Sequence, residues 1–312
     1  MVMKKVFWII LCMFFIPPVT FAGNMKLHYD RPAEYFEEAL VIVNGTMGAT
    51  LYGGVKKDKI SFNDITLWTG EPESENSSPD AFNVIPEIRA LLDNEDYQGA
   101  DKAQYKVQGH YSENYQPLGT LTIEYLDNTA GISDYHRWLD IGNATARTQY
   151  LKDGKLFTSD YFASAPDSVI VIRLKSENKE GIHASLSFDS PLPHSSQVAD
   201  NEISVEGYAA YHSFPVYYKA EDKHRYDPER GIHFKTLVRV LSVDGRVKNR
   251  YSDSRIEIDG STEVLILVAN VTSFNGFDKD PVKEGRNYLS HVEKRMKCAV
   301  GKTYDALREA HI

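Results

Sequence analysis

The chain predicts an all-β protein, a large antiparallel β-sandwich, and three observations carry that expectation. About a dozen short segments alternate apolar and polar residues at intervals of roughly 8–12 residues, the spacing of a sandwich or barrel. Turn dipeptides punctuate them: Asn44-Gly45, Asp153-Gly154, Asp244-Gly245 and Asp259-Gly260. The chain is also rich in aromatic residues, with 19 Tyr, 14 Phe and 3 Trp, which favour pleated, half-buried surfaces. No alternation of strands with helices is visible, so a parallel sheet is not expected.

Taken in order, Leu40–Val43 and Ala49–Tyr52 flank Asn44-Gly45 as a hairpin, and Lys59–Phe62 alternates. Pro86–Leu92 and Asp96–Val107 have helical spacing, with Ile88, Leu91 and Leu92 on one face. Thr120–Tyr125, Tyr135–Ile141, Thr145–Leu151 and Leu156–Phe162 alternate as strands. Ser168–Leu174 is denser in apolar residues and predicts a strand buried on both faces. His183–Phe188, Glu202–Val205, His233–Leu241, Arg255–Ile258 and Glu263–Val268 complete the strand set. Glu71–Asn83, Pro191–Asn201 and Pro215–Arg230 read as polar loops, where binding groups on a rigid scaffold usually lie. Asp280-Pro281 predicts a helix start leading into an amphipathic helix over Val282–Ala299, broken at Gly301. A last helix over Thr303–His311 reaches Ile312 without a stop signal, which predicts a chain cut from a longer parent.

The first residues read as an export signal. Lys4 and Lys5 precede an apolar stretch, Val6 to Ile16, and Thr20-Phe21-Ala22 places a small residue at a cleavage position. That stretch is short of the ~20 residues a membrane-spanning helix needs. Cys12 lies within it, without the small neighbour a lipid-attachment site requires, so only Cys298 survives cleavage and no intrachain disulfide is possible. The expected organisation is a signal peptide over 1–22, a β-sandwich over 23–279, and the start of a helical linker over 280–312. Localisation is then periplasmic or extracellular.

A net charge of −9 argues against nucleic acid or an anionic membrane surface as partner, because phosphate binding requires a positive field. No Cys/His cluster has metal-ligand spacing, no Gly-x-Ser-x-Gly elbow is present, and no cofactor is expected. Hydrolysis by general acid and base uses two carboxyl groups flanking one bond. Asp64, Glu71, Glu73 and Asp222 are loop carboxylates, but none stands at a strand end with a partner at telling spacing. They read as a solvated rim. Trp68 is the leading sugar-contact candidate, since its ring can stack on a pyranose face, set against a core or interface tryptophan. Trp138, in an alternating strand, reads as core. His110 and His212, beside aromatic residues in loops, are candidates for bonding a sugar hydroxyl, against ordinary surface histidines. The Asn-x-Thr/Ser triplets at Asn44, Asn76, Asn143 and Asn270 match a glycosylation pattern, and Asn44 and Asn143 are better explained as turn residues.

A set of motifs in order then points further. Tyr29-Asp-Arg-Pro-Ala-Glu34, Asn44-Gly-Thr-Met-Gly-Ala49, Asn63-Asp-Ile-Thr-Leu-Trp-Thr-Gly-Glu-Pro72 and Tyr115-Gln-Pro-Leu-Gly119 open the series. Asp134-Tyr-His-Arg-Trp-Leu-Asp140, Tyr161-Phe-Ala-Ser-Ala-Pro166 and Thr272-Ser-Phe-Asn-Gly-Phe277 continue it. Together they resemble the N-terminal domain of glycoside hydrolase family 95, with Val43 and Thr120 departing from the usual pattern. The resemblance implies an α-L-fucosidase or α-L-galactosidase with inverting chemistry. It implies a β super-sandwich followed by a helical linker and an (α/α)6 barrel that carries the catalytic Glu, Asn and Asp residues. No position here matches those groups, so the resemblance assigns no catalytic residue and leaves carbohydrate and a catalytic barrel as the expected partners. An exposed apolar patch around the terminal helices is expected if the barrel is missing. The alternative is a free-standing carbohydrate-binding module with the same aromatic loops.

Overall fold

The computed structural model describes residues 25–72, 80–109, 111–128 and 130–312. The expected signal peptide, His110 and Glu73 lie outside the described residues. The strands in chain order are β1 (Lys26–Tyr29), β2 (Leu40–Val43), β3 (Met47–Leu51), β4 (Lys57–Asp64), β5 (Gly119–Tyr125), β6 (Ile132–Asp140), β7 (Thr145–Lys152), β8 (Lys155–Ser164) and β9 (Val169–Ser176). They continue as β10 (Ile182–Asp189), β11 (His194–Ala199), β12 (Glu202–Tyr208), β13 (His212–Ser213), β14 (His224–Arg225), β15 (His233–Ser242), β16 (Arg246–Arg250), β17 (Arg255–Ser261) and β18 (Glu263–Thr272). Helices α1 (Ala81–Asp93) and α2 (Tyr97–Gln104) form an insertion between β4 and β5, and α3 (Tyr288–Val300) and α4 (Tyr304–His311) close the described chain.

Two sheets make the sandwich, as the alternation predicts. One has nine strands in the order β1-β6-β7-β8-β9-β18-β15-β12-β11, the other seven in the order β16-β17-β10-β5-β4-β3-β2. Inward residues such as Ile60, Leu121, Ile123, Ile170, Ile172 and Ile266 are fully buried between them. At roughly 25 cal/mol per Å² of apolar surface, each such side chain contributes about 2 kcal/mol of burial free energy. β9 is buried on both faces, as its dense apolar run predicts. Ile170, Ile172 and Leu174 enter the inter-sheet core, while Val169 and Val171 join a second cluster with Phe162, Leu267, Val292, Met296 and Leu307. That second cluster seats α3 and α4 on the outer face of the nine-stranded sheet. The terminal helices thus bury Val292, Met296, Ala299 and Leu307, while Leu289 and Ile312 stay exposed.

Several local expectations are corrected. The helix at the C-terminal end begins at Tyr288, capped by Asn287, whose side chain accepts from the Ser290 N–H at 3.2 Å. Asp280 caps only one turn, accepting from Val282 and Lys283, because Gly285 packs against the Pro281 backbone and the Arg286 N–H goes to the Ser273 carbonyl. Part of Pro191–Asn201 is strand β11, an edge strand whose sequence His-Ser-Ser-Gln-Val-Ala buries only Val198, so no apolar alternation announces it. Asp153-Gly154 is a two-residue hairpin turn with both φ positive, 50° and 72°. Asp259-Gly260 is instead a bulge: Ile182 faces Ser261 while His183 faces Asp259, where β17 turns towards the other sheet.

Trp138 is not core. It is half-buried on the outer face of β6, with Lys26 at 5.7 Å and Arg147 at 5.9 Å from its ring centre. The buried neighbour is Arg137, 1% exposed. Its guanidinium lies 4.1 Å over Tyr29 and donates to the carbonyls of Arg31 and Glu38. Those donations satisfy the charge that burial would otherwise strand.

Candidate functional site

The Trp68 loop begins where β4 ends, and a buried polar network holds it there. Asp64 is 5% exposed. Its Oδ1 accepts from the Thr66 N–H at 2.9 Å and the Thr66 hydroxyl at 2.6 Å, a local turn that competes with further strand pairing. Its Oδ2 accepts from Asn270 Nδ2 on β18 at 2.8 Å. The Asn270 Oδ1 takes the Thr236 hydroxyl at 2.8 Å, its carbonyl takes Arg295 Nη1 of α3 at 2.9 Å, and the Thr66 hydroxyl meets Thr272 at 2.6 Å. Both sheets and a terminal helix thus converge on one loop. Asp64 is an anchor of that loop, not a solvated rim.

Beyond the turn, Leu67 is fully buried and alternation throws Trp68 outward, 44% exposed. The indole N–H donates to the Ile65 carbonyl at 3.0 Å, and the ring meets Tyr115 edge-on at 6.4 Å. Trp68 divides two hollows. One, of about 310 Å³, lies between it and the Asn44-Gly45 hairpin. The other, of about 330 Å³, is walled by Trp68, Gly70, Glu113, Ile232, Phe274 and Phe277, at the small end of ligand-binding pockets.

Glu113 is the polar centre of the second hollow. Its carboxylate accepts from the Thr69 hydroxyl, from His212 Nδ1 at 2.9 Å and from the Ser213 N–H at 3.2 Å. Asn114 ties the same strands together, its N–H on Thr69 Oγ1 at 2.8 Å and its side chain on Ser213 Oγ at 2.8 Å, which in turn meets His224 Nδ1 at 2.8 Å. Gly70 makes the approach possible. Its φ of +104° is left-handed, and a Cβ there would stand 2.6 Å from Glu113 Cγ. At the rim, Arg230 donates to Glu71 and its guanidinium lies 3.7 Å over Tyr211; the carboxylate beside it holds the guanidinium pKa above its ordinary value.

The structure brings Trp68 and His212 to the same end of the sandwich, with His212 behind Glu113. Asp222 is exposed in the Pro215–Arg230 segment, before β14, and Glu71 is engaged by Arg230. Glu113 was missed by sequence reasoning, because Ser112-Glu113-Asn114 carries no periodicity; its place just before Tyr115-Gln-Pro is the one available signal. A buried acid does occur elsewhere. Asp58, 1% exposed, has its carboxyl pushed up to about 6 by burial, against the opposing pull of the Gly54 N–H and the Tyr161 hydroxyl. It stands six residues up β4 from Asp64, about 20 Å along the strand, between the sheets and away from the hollows. Among the described residues, no group of three or more His, Cys, Asp or Glu side chains is placed to hold a metal ion.

Comparison with known proteins agrees with this architecture. The profile described as "Glycosyl hydrolase family 65, N-terminal domain" matches residues 27–276. Alpha-L-fucosidase 2 of Arabidopsis thaliana is 28% identical over 86% of this chain and 34% of its own length. Probable alpha-fucosidase A of Aspergillus niger is 27% identical over 97% of this chain and 37% of its own. The chain thus spans about a third of the length of these curated relatives. A putative kojibiose phosphorylase from the human microbiome superposes with a TM-score of 0.52, at 8% identity, over 92% of this chain and 37% of that one, a likeness of fold. The family description carries the number 65, while the relatives are named as α-fucosidases, in line with the resemblance the sequence motifs carry. On the match over residues 27–276, this chain belongs to the glycosyl hydrolase family 65 N-terminal domain family.

Proposed function

We propose that the chain serves as the N-terminal β-domain of an exported α-L-fucosidase-type glycoside hydrolase acting on fucosylated, or α-L-galactosylated, glycans. Hydrolysis, inverting by resemblance, is assigned to a catalytic barrel outside this chain, with residues 280–312 leading towards it. The observation that carries the reading is the match of α-fucosidases across 86% to 97% of the chain. The hollow beside Trp68 supports it. An exposed indole stacks on a pyranose face, and Glu113, held by His212 and Thr69, is placed to accept from a sugar hydroxyl.

Tryptophan quenching by L-fucose tests the binding role: it is expected in the purified chain and lost in Trp68→Ala. Release of nitrophenol from nitrophenyl α-L-fucoside by the purified chain would overturn the assignment of catalysis elsewhere. Export is tested by intact-mass analysis of secreted protein, which should show cleavage after Ala22. A free-standing carbohydrate-binding module is the second reading, favoured by the exposure of Trp68 (44%) and Phe277 (89%). It gains if the encoding frame stops at Ile312 while fucosides still bind.

A further inference from the structure

From the pocket carboxylate a continuous run of aromatic contacts leads outward from β13 along residues 214–218 to Tyr111. Glu113 holds His212; His212 meets the Phe214 face edge-on at 4.4 Å; Phe214 stacks on Tyr218 at 4.8 Å and 9°. Tyr218 meets Tyr111 at 5.4 Å, and Tyr111 meets Tyr217 at 6.3 Å. The inner members are half-buried and the outer ones open: Tyr218 is 40% exposed, Tyr111 43% and Tyr217 76%.

We infer that this tyrosine strip is a second subsite, receiving the sugar residues that follow the terminal residue seated against Trp68. The inference rests on the reading of that hollow as a sugar pocket. Three features select a glycan over a protein face. The strip is tied to the wall of the hollow through the Glu113–His212 hydrogen bond. Its exposed members are chiefly tyrosines, whose rings stack on sugar faces while their hydroxyls stay hydrated. Lys219, Glu221 and Asp222, next along the loop, are exposed; a flat protein partner would strip their water at a cost that a hydrated sugar does not impose.

Calorimetric titration of the full chain with L-fucose and with 2′-fucosyllactose tests this. The trisaccharide should bind about tenfold more tightly, the worth of one or two stacking contacts. The Tyr111→Ala/Tyr217→Ala double variant, altering exposed residues only, should remove most of that gain and leave L-fucose affinity unchanged. Trp68→Ala should weaken both ligands. L-fucose binding with no gain for the trisaccharide, or a gain indifferent to the tyrosine substitutions, overturns the strip alone and hands it to a protein contact. Tyrosine-dependent trisaccharide binding without any L-fucose binding upholds the strip and overturns the pocket. Failure of both ligands to bind overturns both.

Discussion

Two buried aspartates stand at opposite ends of β4 and do different work. Asp58 faces the interior among Tyr125, Tyr135, Tyr150 and Tyr161, and its donors are neutral: the Gly54 N–H at 2.9 Å and the Tyr161 hydroxyl at 2.8 Å. Burial outweighs them, so the carboxyl holds a proton well above the usual range, and its negative field in turn raises Tyr135, Tyr150 and Tyr161, behind burial itself as the larger cause. Asp64 is almost as buried, yet its oxygens are divided between a local turn and a side chain 206 residues away. The first carboxylate is a poorly solvated part of the core; the second is the anchor of the Trp68 loop. Burial alone therefore does not mark a functional acid. The donors do.

Breaking the anchor should give the largest effect. Asn270→Ala leaves Asp64 Oδ2 and the Thr236 hydroxyl unpaired inside the protein, a loss of about 4 kcal/mol in urea unfolding. L-fucose quenching should weaken in the same variant, because the loop loses its seat.

Asp58 sharpens the contrast through pH. Its folded value of about 6 lies above the 3.8 of a free aspartate, so between those values the folded chain binds more protons than the unfolded one. Stability from this group is then greatest below about pH 4 and falls as pH rises through 6, by about 3 kcal/mol in all. Asp58→Asn should flatten that part of the profile in denaturant unfolding at pH 4 to 8. An identical slope in both proteins would remove Asp58 as the cause.

Gly70→Ala combines a left-handed φ with a clash against Glu113, and about 2 kcal/mol of destabilisation is expected by thermal unfolding. The smallest effect is Trp68→Ala. Exposed and touching little of the core, it should change stability by less than about 0.5 kcal/mol while abolishing the quenching response. A large fall in melting temperature would instead make Trp68 a structural residue.

Much of the architecture was legible from short stretches. The Asn44-Gly45 and Asp153-Gly154 turns and the two-faced burial of β9 each follow from local period and turn chemistry, whereas the sequence left Trp68 open between a core and a surface position. Errors arose where the decisive partner was distant. Alternation placed Trp138 and Arg137 on opposite faces but could not say that the Trp face meets Lys26 and Arg147, while Arg137 finds carbonyls of the chain before β2. Asp280-Pro281 has the chemistry of a helix start, but Gly285 packs against the Pro281 backbone and the Arg286 N–H is claimed by the Ser273 carbonyl, which defers the helix to Asn287. Glu113 became visible only once β13 was brought beside its loop.

What the residues determined unaided was the strand content, the turns and the sandwich class, because those depend on the side-chain period and on φ preferences within a few neighbours. What awaited the tertiary structure was the pairing of Asp64 with Asn270, the enclosure of Glu113 by Thr69 and His212, and the seating of α3 and α4 on the nine-stranded sheet. Each joins groups far apart along the chain. Their strength comes from water removed when distant surfaces close together, and no local stretch of sequence records which surfaces those will be.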